Sequence, residues 1–374
     1  MLDPIIAFFK SVLGAIGRGI GVIFAGIFWP FRAAHGWYRQ RSWIIKGPIL
    51  LILVALVGLY GYFVWQTQVW TNFDPNFVDR YKFAERNMPA GQELPATAGQ
   101  TTANACQSSG IAEIAAELTD FNVNQNAWIS SMLLYRLGFF GIEWDHTPFL
   151  DNKAAFQRGV NQAVRRTSVE LVDTLGRMRG TSGINQNLQD ARGNIQFDEY
   201  TWYFGFSPFG PKTPTPSFYR AAIRNFRAFN DQLSTCGATF DTRADNLLSF
   251  IDRIANDLGN TASILRERSE NYNAGWFDTR ADDRFWFAYG QLYGYYAILT
   301  ATGADFQNVI NERNIAPIYA ETLRQFEAAL RITPWIISNG REDGWIMPTH
   351  LATMGFYILR ARSNLVEVRS ILDR

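Results

Sequence analysis

The sequence predicts an all-α protein, with one N-terminal transmembrane helix followed by a multi-helix extracytoplasmic bundle domain. Three observations predict this class. No residue from Gly47 to Trp70 carries a charge at neutral pH. Apolar residues recur at helical spacing through most of the remaining chain, and the alternation typical of strands is scarce. With 374 residues, the chain is long enough for a membrane segment and one large domain.

The segment 43–70 is predicted to cross a membrane. Its stretch "GPILLILVALVGLYGYFVW" is almost wholly apolar, and about 20 such residues cross the hydrocarbon layer. Trp43 lies at one end and Trp65 and Trp70 lie toward the other, where aromatic rings suit the headgroup zones. The alternative, a buried core helix, is disfavoured because a globular core rarely needs so long an uncharged run.

The charges that flank this segment predict its orientation. Six lysines and arginines precede its uncharged run from Gly47, against the single acid Asp3, whereas the residues directly after it are balanced. The excess of cations places the amino terminus in the cytoplasm and residues 71–374 on the other side. No small-x-small cleavage site follows, so the segment is interpreted as an uncleaved signal anchor.

Residues 1–42 are predicted to form a cytoplasmic or interfacial amphipathic segment. Lys10 and Arg18 interrupt its apolar run, which favours a helix lying in the membrane interface over a re-entrant hairpin. Gly17, Gly21 and Ala25 are spaced four apart, a pattern that allows close helix–helix approach. They are therefore candidates for contact between two copies of the chain.

The region 71–105 is predicted to be a linker because it is rich in Pro, Gly, Ala and Thr. The helical periplasmic-type domain then covers 106–374. Its last helix carries apolar residues in a heptad pattern from Leu351 to Leu372. An ordinary bundle helix explains this pattern better than a homo-oligomeric coiled coil, because three heptads are short.

Charge and cysteine content narrow the class of partner and compartment. Residues 71–374 contain 29 basic and 33 acidic residues, which excludes the concentrated basic face of a nucleic-acid-binding protein. Cys106 and Cys236 both fall on the predicted non-cytoplasmic side. An oxidising compartment permits a disulfide between them, and two buried thiols are the alternative.

A long loop, residues 197–218, combines eight aromatic residues with four prolines. Loops of this length without secondary structure are often functional. Trp202 and Tyr203 are therefore candidate binding residues, although the same rings would also suit packing against the bundle.

The motif "FDTRAD" occurs at residues 240–245 and again at 277–282. Its spacing resembles a helix capping box, with Thr242 and Asp245 in the first copy and Thr279 and Asp282 in the second. The aspartate before each threonine is an alternative cap. Since a cation opposes the helix dipole in the first turn, Arg243 and Arg280 are each expected to pair with a carboxylate.

Two stretches gather acids and aromatic residues. The candidate catalytic carboxylates are Glu143, Asp145, Glu342 and Asp343, and the candidate binding residues beside them are Trp144, His146, Arg341, Trp345 and His350. Paired carboxylates with a tryptophan suit glycan chemistry. A metal site at His146 and His350 is an alternative, and so are plain solvated turns. No established catalytic motif is present, so no catalytic residue, metal or cofactor is assigned.

The stretches "FDTRADDRFWFAYGQLYGYYAIL" and "IISNGREDGWIMPTHLATMGFYILRAR" are similar to a bacterial family known as domain of unknown function 2333. The resemblance extends over most of the chain. It implies a Gram-negative inner-membrane protein with a helical periplasmic domain, and it implies no reaction, ligand or site residue.

Two functions fit these observations. The leading hypothesis is a membrane-anchored periplasmic scaffold or adaptor that binds an envelope protein. The alternative is a glycan- or peptidoglycan-directed binder or hydrolytic enzyme that uses the carboxylate and tryptophan cluster, which requires those carboxylates to share a concave pocket.

Overall fold

The computed structural model describes residues 14, 22, 25, 26, 28–95, 105–147, 149–177, 183–344 and 346–374. The chain divides into two compact units, Met1–Tyr62 and Phe63–Arg374, whereas the sequence suggested a boundary at residue 70. The predicted small-residue contact at Gly17 and Gly21 lies outside the described residues.

Helices dominate the described chain, and the predicted all-α class is confirmed. The helices are α1 (Trp43–Gln68), α2 (Gly110–Asp120), α3 (Leu133–Leu137), α4 (Asn152–Glu170), α5 (Gln186–Ile195), α6 (Thr215–Ser234), α7 (Ala244–Asn271), α8 (Ala281–Asp305), α9 (Gln307–Glu312), α10 (Ala316–Leu330) and α11 (His350–Leu372). Residues 28–39, ahead of α1, are helical too. Short 3-10 turns lie at Phe77–Tyr81, Phe83–Glu85, Ile129–Ser131 and Trp144–His146, and π turns extend α2 and α4 at Phe121–Gln125 and Leu171–Leu175.

Among the described residues, α1 is the one helix long and apolar enough to cross a membrane. Its 26 residues give a length of about 39 Å, more than the hydrocarbon layer requires. At the carboxyl end of α1, Lys153 Nζ donates to the carbonyl oxygens of Gln66 at 3.0 Å and Val69 at 2.7 Å. This buried ammonium satisfies carbonyls at the negative end of the helix, and burial lowers the pKa of Lys153 to about 8.

Glycines bring α4 and α8 into close contact at the centre of the domain. A Cβ added to Gly290 would lie 2.1 Å from the Phe156 carbonyl oxygen, and one added to Gly294 would lie 2.8 Å from the Ala163 Cβ. Both contacts advance along the two helices in the same direction, so α4 and α8 run parallel. Their amino termini therefore meet at one end of the bundle.

Gly290→Ala is expected to destabilise the protein by about 3 kcal/mol, because the added methyl would collide with backbone rather than with a flexible side chain. Gly193→Ala is the matched control, since Gly193 lies in α5 with nothing within 4 Å of an added Cβ. It should gain about 0.5–1 kcal/mol from helix propensity. Thermal unfolding measures both, and similar effects of the two substitutions would contradict the close contact.

The heptad face of α11 is buried inside the chain itself. Its apolar residues, Leu351, Met354, Ile358, Ala361, Leu365, Val368 and Leu372, are all buried. α11 packs antiparallel to α7, since Ser269 contacts Thr349 and Arg362 contacts Ala255. The bundle-helix prediction is confirmed, and this face is not available for a coiled coil with a second copy.

The predicted linker is part of the domain core over its first half. Phe77, Val78, Phe83 and Ala90 are buried, and Phe73 stacks on Tyr293 of α8 with ring centroids 5.7 Å apart. The expectation of a loose linker at 71–105 is wrong for these residues, because it weighed small-residue content and overlooked the spaced aromatic rings. Residues 96–104 lie outside the described residues.

The end of the domain opposite the amino termini of α4 and α8 is closed by a disulfide and a buried carboxylate. Cys106 and Cys236 are bonded, which resolves the alternative left open by the sequence. Nearby, Asp305 at the end of α8 accepts hydrogen bonds from Ser109 Oγ and from the backbone N–H groups of Gly110 and Ile111. A carboxylate thus holds the positive amino terminus of α2, although burial raises its pKa to about 6.

The aromatic–proline loop contains a small antiparallel hairpin that the sequence did not predict. β1 (Phe204–Phe206) pairs with β2 (Phe209–Pro211), and α6 begins at Thr215. The loop divides its aromatic residues between two roles. Phe197 and Phe218 stack on each other against the core, whereas Tyr203 and Phe209 are exposed.

Candidate functional site

A pocket of about 550 Å³ opens among α3, α4, α7, α8 and the turn at Trp144–His146. It is lined by arginines, carboxylates and aromatic rings. The arginines are Arg136, Arg158, Arg165, Arg280 and Arg284, the carboxylates are Glu143, Asp145, Glu199 and Asp283, and the rings are Tyr135, Trp144, Tyr200 and Phe287. Two of the four predicted carboxylates and one FDTRAD arginine therefore share a pocket.

Arg280 joins the second FDTRAD copy to the "GIEWDH" stretch. Its Nη2 lies 3.1 Å from Asp145 Oδ2 and 3.2 Å from His146 Nε2. The arginine finds a carboxylate, as expected. The partner comes from a turn 135 residues earlier in the chain, and no local sequence pattern could have indicated it.

The same geometry disfavours metal binding at the cluster of acids and histidine beside Arg280. Among the described residues, this is the one group of such side chains close enough to share a metal ion. Oxygen and nitrogen atoms of Glu143, Asp145 and His146 lie within 4.8 Å of one another, close enough to share a metal ion. The Arg280 guanidinium, however, contacts both Asp145 and His146. A metal ion there would face a fixed positive charge at close range.

A buried carboxyl pair lies where α4 and α8 begin. Asp151 precedes α4 and is fully buried, and Asp283 lies in the first turn of α8 and lines the pocket. Both Asp151 oxygens lack a hydrogen-bond donor among the described residues. Burial and the neighbouring Asp283 raise the pKa of Asp151 strongly. A proton on Asp151 would give the pair the donor it lacks.

Asp282 adds a third carboxyl group at the same place. It is buried, and its Oδ2 also lacks a donor among the described residues. Burial, and then repulsion from Asp283, raise its pKa to about 8. The helix amino termini offset this effect only in part. Burial and the neighbouring carboxylates therefore favour the protonated forms of Asp151 and Asp282, while Asp283 lines the pocket.

The pocket arginines divide into paired and unpaired groups. Arg165 Nη1 lies 3.1 Å from Glu199 Oε1, and Arg158 donates to Tyr200 Oη at 2.8 Å while its Nη2 lies 3.9 Å from Asp283. Arg136 and Arg284 have no side-chain ion pair within the described part of the chain and are exposed. They can therefore accept an anionic ligand without first breaking an ion pair.

Below the pocket, Asp257 holds a buried polar network. Its Oδ2 accepts from Tyr295 Oη at 2.7 Å and from Gln291 Nε2 at 2.6 Å, and its Oδ1 accepts from Gln162 Nε2 at 3.0 Å. Thr261 Oγ1 donates to Gln291 Oε1 at 2.6 Å. Gln162 and Thr261 also line the pocket, so this network stiffens one of its walls.

The second predicted cluster does not join this pocket. Glu342 lines a separate pocket of about 350 Å³ between α7 and α11, and Arg341 pairs with Asp343 on the exposed surface at 3.1 Å. His350 Nδ1 accepts the Ser338 backbone N–H, so it supports the chain at the start of α11. Trp345 lies outside the described residues.

Trp144 is part of the core and does not offer an indole face to a ligand. It is 2% exposed, and its Nε1 donates to the Leu134 carbonyl oxygen at 2.7 Å. The expectation that this tryptophan stacks on a sugar is therefore wrong. Trp202 and Tyr203 belong to the hairpin region and do not line the pocket.

The capping role predicted for the FDTRAD threonines is also wrong. The residues that precede α7 and α8 are Arg243 and Arg280, and neither helix has a side-chain cap from Thr242 or Thr279. Asp278 Oδ1 does accept the backbone N–H of Arg280 at 3.3 Å, one residue before α8 begins. In the first copy, Arg243 pairs with Asp241 at 2.9 Å and lies 3.7 Å from Asp245. The arginine of the first copy thus forms an ion pair within the motif, whereas the arginine of the second copy pairs with Asp145 and lines the pocket.

Asp278 of the second copy organises the chain behind the pocket. It forms a bidentate ion pair with Arg268, and it accepts a hydrogen bond from Asn339 Nδ2 at 2.8 Å. Asn339 also donates to the carbonyl oxygens of Arg268 and Tyr272. The two predicted clusters are therefore linked through the second FDTRAD copy, although they do not form one site.

Comparison with known families agrees with the resemblance seen in the sequence. The model of family DUF2333, described as "Uncharacterized protein conserved in bacteria", matches residues 92–275 and 266–374. The chain belongs to this family. No curated protein matches the chain, and no solved structure matches it. The DUF2333 match includes every residue that lines the arginine-rich pocket.

Sequence reasoning missed most of this pocket and the buried carboxyl pair beside it. It did not select Arg136, Arg158 or Arg284 of the pocket, nor Asp151 and Asp283 of the pair. The consecutive acids that follow "FDTRA" were a usable signal, because two carboxylates at the start of an otherwise apolar helix are costly to bury. Nothing in the sequence around Asp151 indicates that it meets α8, since that contact depends on the parallel packing of α4 and α8.

Proposed function

We propose that this chain is a membrane-anchored binding protein whose pocket takes a small acidic glycan, of the class found in peptidoglycan fragments. The observation that carries the proposal is the pocket of about 550 Å³ in which Arg136 and Arg284 have no ion pair within the described residues. Guanidinium groups bind carboxylates in two-point contacts. The rings of Tyr135 and Tyr200, 6.5 Å apart, offer apolar surface for a sugar face.

The proposal includes a topology. α1 anchors the protein in the inner membrane, the amino terminus is cytoplasmic, and the domain is periplasmic. The cations that precede α1 support this orientation. The Cys106–Cys236 bond supports it independently, because disulfides persist in oxidising compartments.

Binding fits the geometry better than hydrolysis. Glu342 and Asp343 lie outside the pocket, and Trp144 is buried. Asp145 is already engaged in an ion pair with Arg280. The arrangement therefore supports recognition of negative charge, and no reaction is proposed.

Arg284→Gln and Arg136→Gln are each expected to weaken binding of a disaccharide muropeptide about tenfold, since each removes one charge-assisted contact. Isothermal titration of the detergent-solubilised full chain measures this, with chitobiose as the neutral ligand. Arg324→Gln is the matched control, because that arginine is exposed, lies outside the pocket and pairs with Glu321. Absence of saturable muropeptide binding, or equal affinity in all three variants, would contradict the proposal.

A second candidate, an adaptor for an envelope protein, is favoured by the hairpin. Phe209 at the start of β2 is 79% exposed, and Tyr203 beside β1 is exposed as well. A photo-crosslinking residue at Phe209 should capture the same envelope protein under several growth conditions. Crosslinks that are no more frequent than those from exposed Val366 on α11 would count against this candidate.

A further inference from the structure

Large apolar side chains from three separate segments are exposed around one part of the domain. They are Leu137, Phe139, Phe140 and Ile142 after α3, Phe149 before α4, and Trp335 and Ile336 after α10. Phe140 is 74% exposed and Trp335 is 89% exposed. Apolar groups this exposed and this close together mark a contact with a protein or a membrane.

The loop after α3 presents its phenylalanine in a costly backbone conformation. Phe139 and Ile142 pair across a two-residue turn whose centre is Phe140 and Gly141. Phe140 has φ +52°, a value that bulky residues rarely adopt and that glycine or asparagine would adopt more easily. A large apolar ring is thus held at the tip of a tight turn, pointing away from the core.

Phe149 and Trp335 lie beside the end of α1, and the loop after α3 is linked to the same helix through Trp144. The ring of Phe63 lies 4.9 Å from that of Trp144, which lies 6.0 Å from that of Phe139. Gln68 Nε2 donates to the Phe149 carbonyl oxygen at 2.8 Å. Gln68 and Phe149 also line a groove of about 480 Å³ together with Trp335.

The sequence of α1 sets the level of these segments relative to a bilayer. The apolar run ends at Trp65, and polar Gln66, Thr67 and Gln68 follow. A helix that crosses a bilayer leaves the hydrocarbon layer where its sequence changes from apolar to polar residues. Residues that contact positions 63–68 must then lie at headgroup level, where aromatic side chains are favoured.

We infer that residues 137–142, Phe149 and residues 335–336 form a membrane-docking face, which inserts into the surface of the bilayer that α1 crosses. This inference rests on the membrane anchoring proposed above. The bilayer is the favoured occupant because the end of α1, where the helix leaves the hydrocarbon, lies at this face. A protein partner would have to compete with lipid for the same surface. Docking would hold the arginine-rich pocket at a fixed height above the membrane, since Trp144 of the pocket lining contacts Phe139 of the docking face.

Depth-dependent fluorescence quenching in proteoliposomes tests this inference on the full chain. The two native cysteines are bonded to each other, so one added cysteine carries the fluorophore. Phe140→Cys and Trp335→Cys place it on the docking face, and Val57→Cys places it within α1. Val366→Cys is the matched control, exposed on α11 about 24 Å along the helix from His350.

Nitroxide groups near the lipid headgroups are expected to quench the labels at positions 140 and 335 by about half, and the label at 366 by a tenth at most, because docked side chains lie about 5–10 Å into the interface. Mid-bilayer nitroxides should quench the label at 57.

Quenching at 57 without quenching at 140 and 335 overturns the docking face and leaves the anchor intact. Absence of quenching at 57 overturns the anchor. Labels at 140 and 335 that are shielded from water yet not quenched by lipid would show a second copy or another protein on this face, which also overturns the inference.

Discussion

Asp282→Asn is expected to stabilise the protein by about 4 kcal/mol at pH 8 and to have little effect at pH 4.5. Burial raises the pKa of Asp282 to about 8 in the folded state, against about 3.9 in an unfolded chain. Between these values the folded protein holds a proton that the unfolded chain has released. The free energy of unfolding of the wild type therefore falls as pH rises from about 4 to about 8.

Asparagine removes this dependence because its amide carries no titratable proton and can still donate a hydrogen bond. The free energy of unfolding, measured by denaturant titration at several pH values, should fall less steeply with pH in Asp282→Asn than in the wild type. Asp151→Asn should act in the same direction, since its pKa is raised by burial and by Asp283. Its amide would supply the donor that the pair with Asp283 lacks.

Asp245→Asn is the matched control, because Asp245 holds the equivalent position in the first FDTRAD copy. Its side chain is 44% exposed and lies 3.7 Å from Arg243. Loss of an exposed acid from the first helical turn should cost a few tenths of a kcal/mol. If Asp282→Asn behaves like Asp245→Asn across the pH range, the buried carboxyl cluster does not hold the protons proposed for it.

The sequence predicted the helical class and the membrane-length helix because both depend on local patterns. The face of α11 from Leu351 to Leu372 is another such case, since heptad spacing alone indicates which side is buried. The pocket depends instead on which helices meet. Gly159, Gly290 and Gly294 let α4 and α8 approach in parallel, and their amino termini then bring distant carboxyl groups together.

FDTRAD illustrates the limit of local patterns. Its six residues are identical in both copies, yet Asp245 is half exposed and Asp282 is buried. The difference comes from neighbours outside the motif: Asp145 and His146 meet Arg280, and Asn339 meets Asp278. The prediction that each arginine pairs with a carboxylate was confirmed because it followed from charge. The predicted threonine caps were wrong because they followed from spacing alone.

Loss of the Cys106–Cys236 bond is expected to cost about 5 kcal/mol of stability, since it closes a loop across 130 residues in the unfolded chain. For a domain of this size, the loss corresponds to a fall of about 10 °C in the melting temperature. Cys106→Ser/Cys236→Ser should melt at the same temperature as the reduced wild type, and a reductant should not change its melting temperature further.

The bond also has a local structural role that the double variant tests separately from loop entropy. Cys106 N–H donates to the Ser234 carbonyl oxygen at 2.9 Å, and Asn230 bridges the backbone of Ser109. These hydrogen bonds hold α2 to α6 without the disulfide. Hydrogen exchange at Ser109–Ala112 should therefore remain slow in the double variant under native conditions. Rapid exchange there would show that the disulfide itself maintains the contact between α2 and α6. An unchanged melting temperature in the double variant would mean that the disulfide contributes nothing measurable to stability.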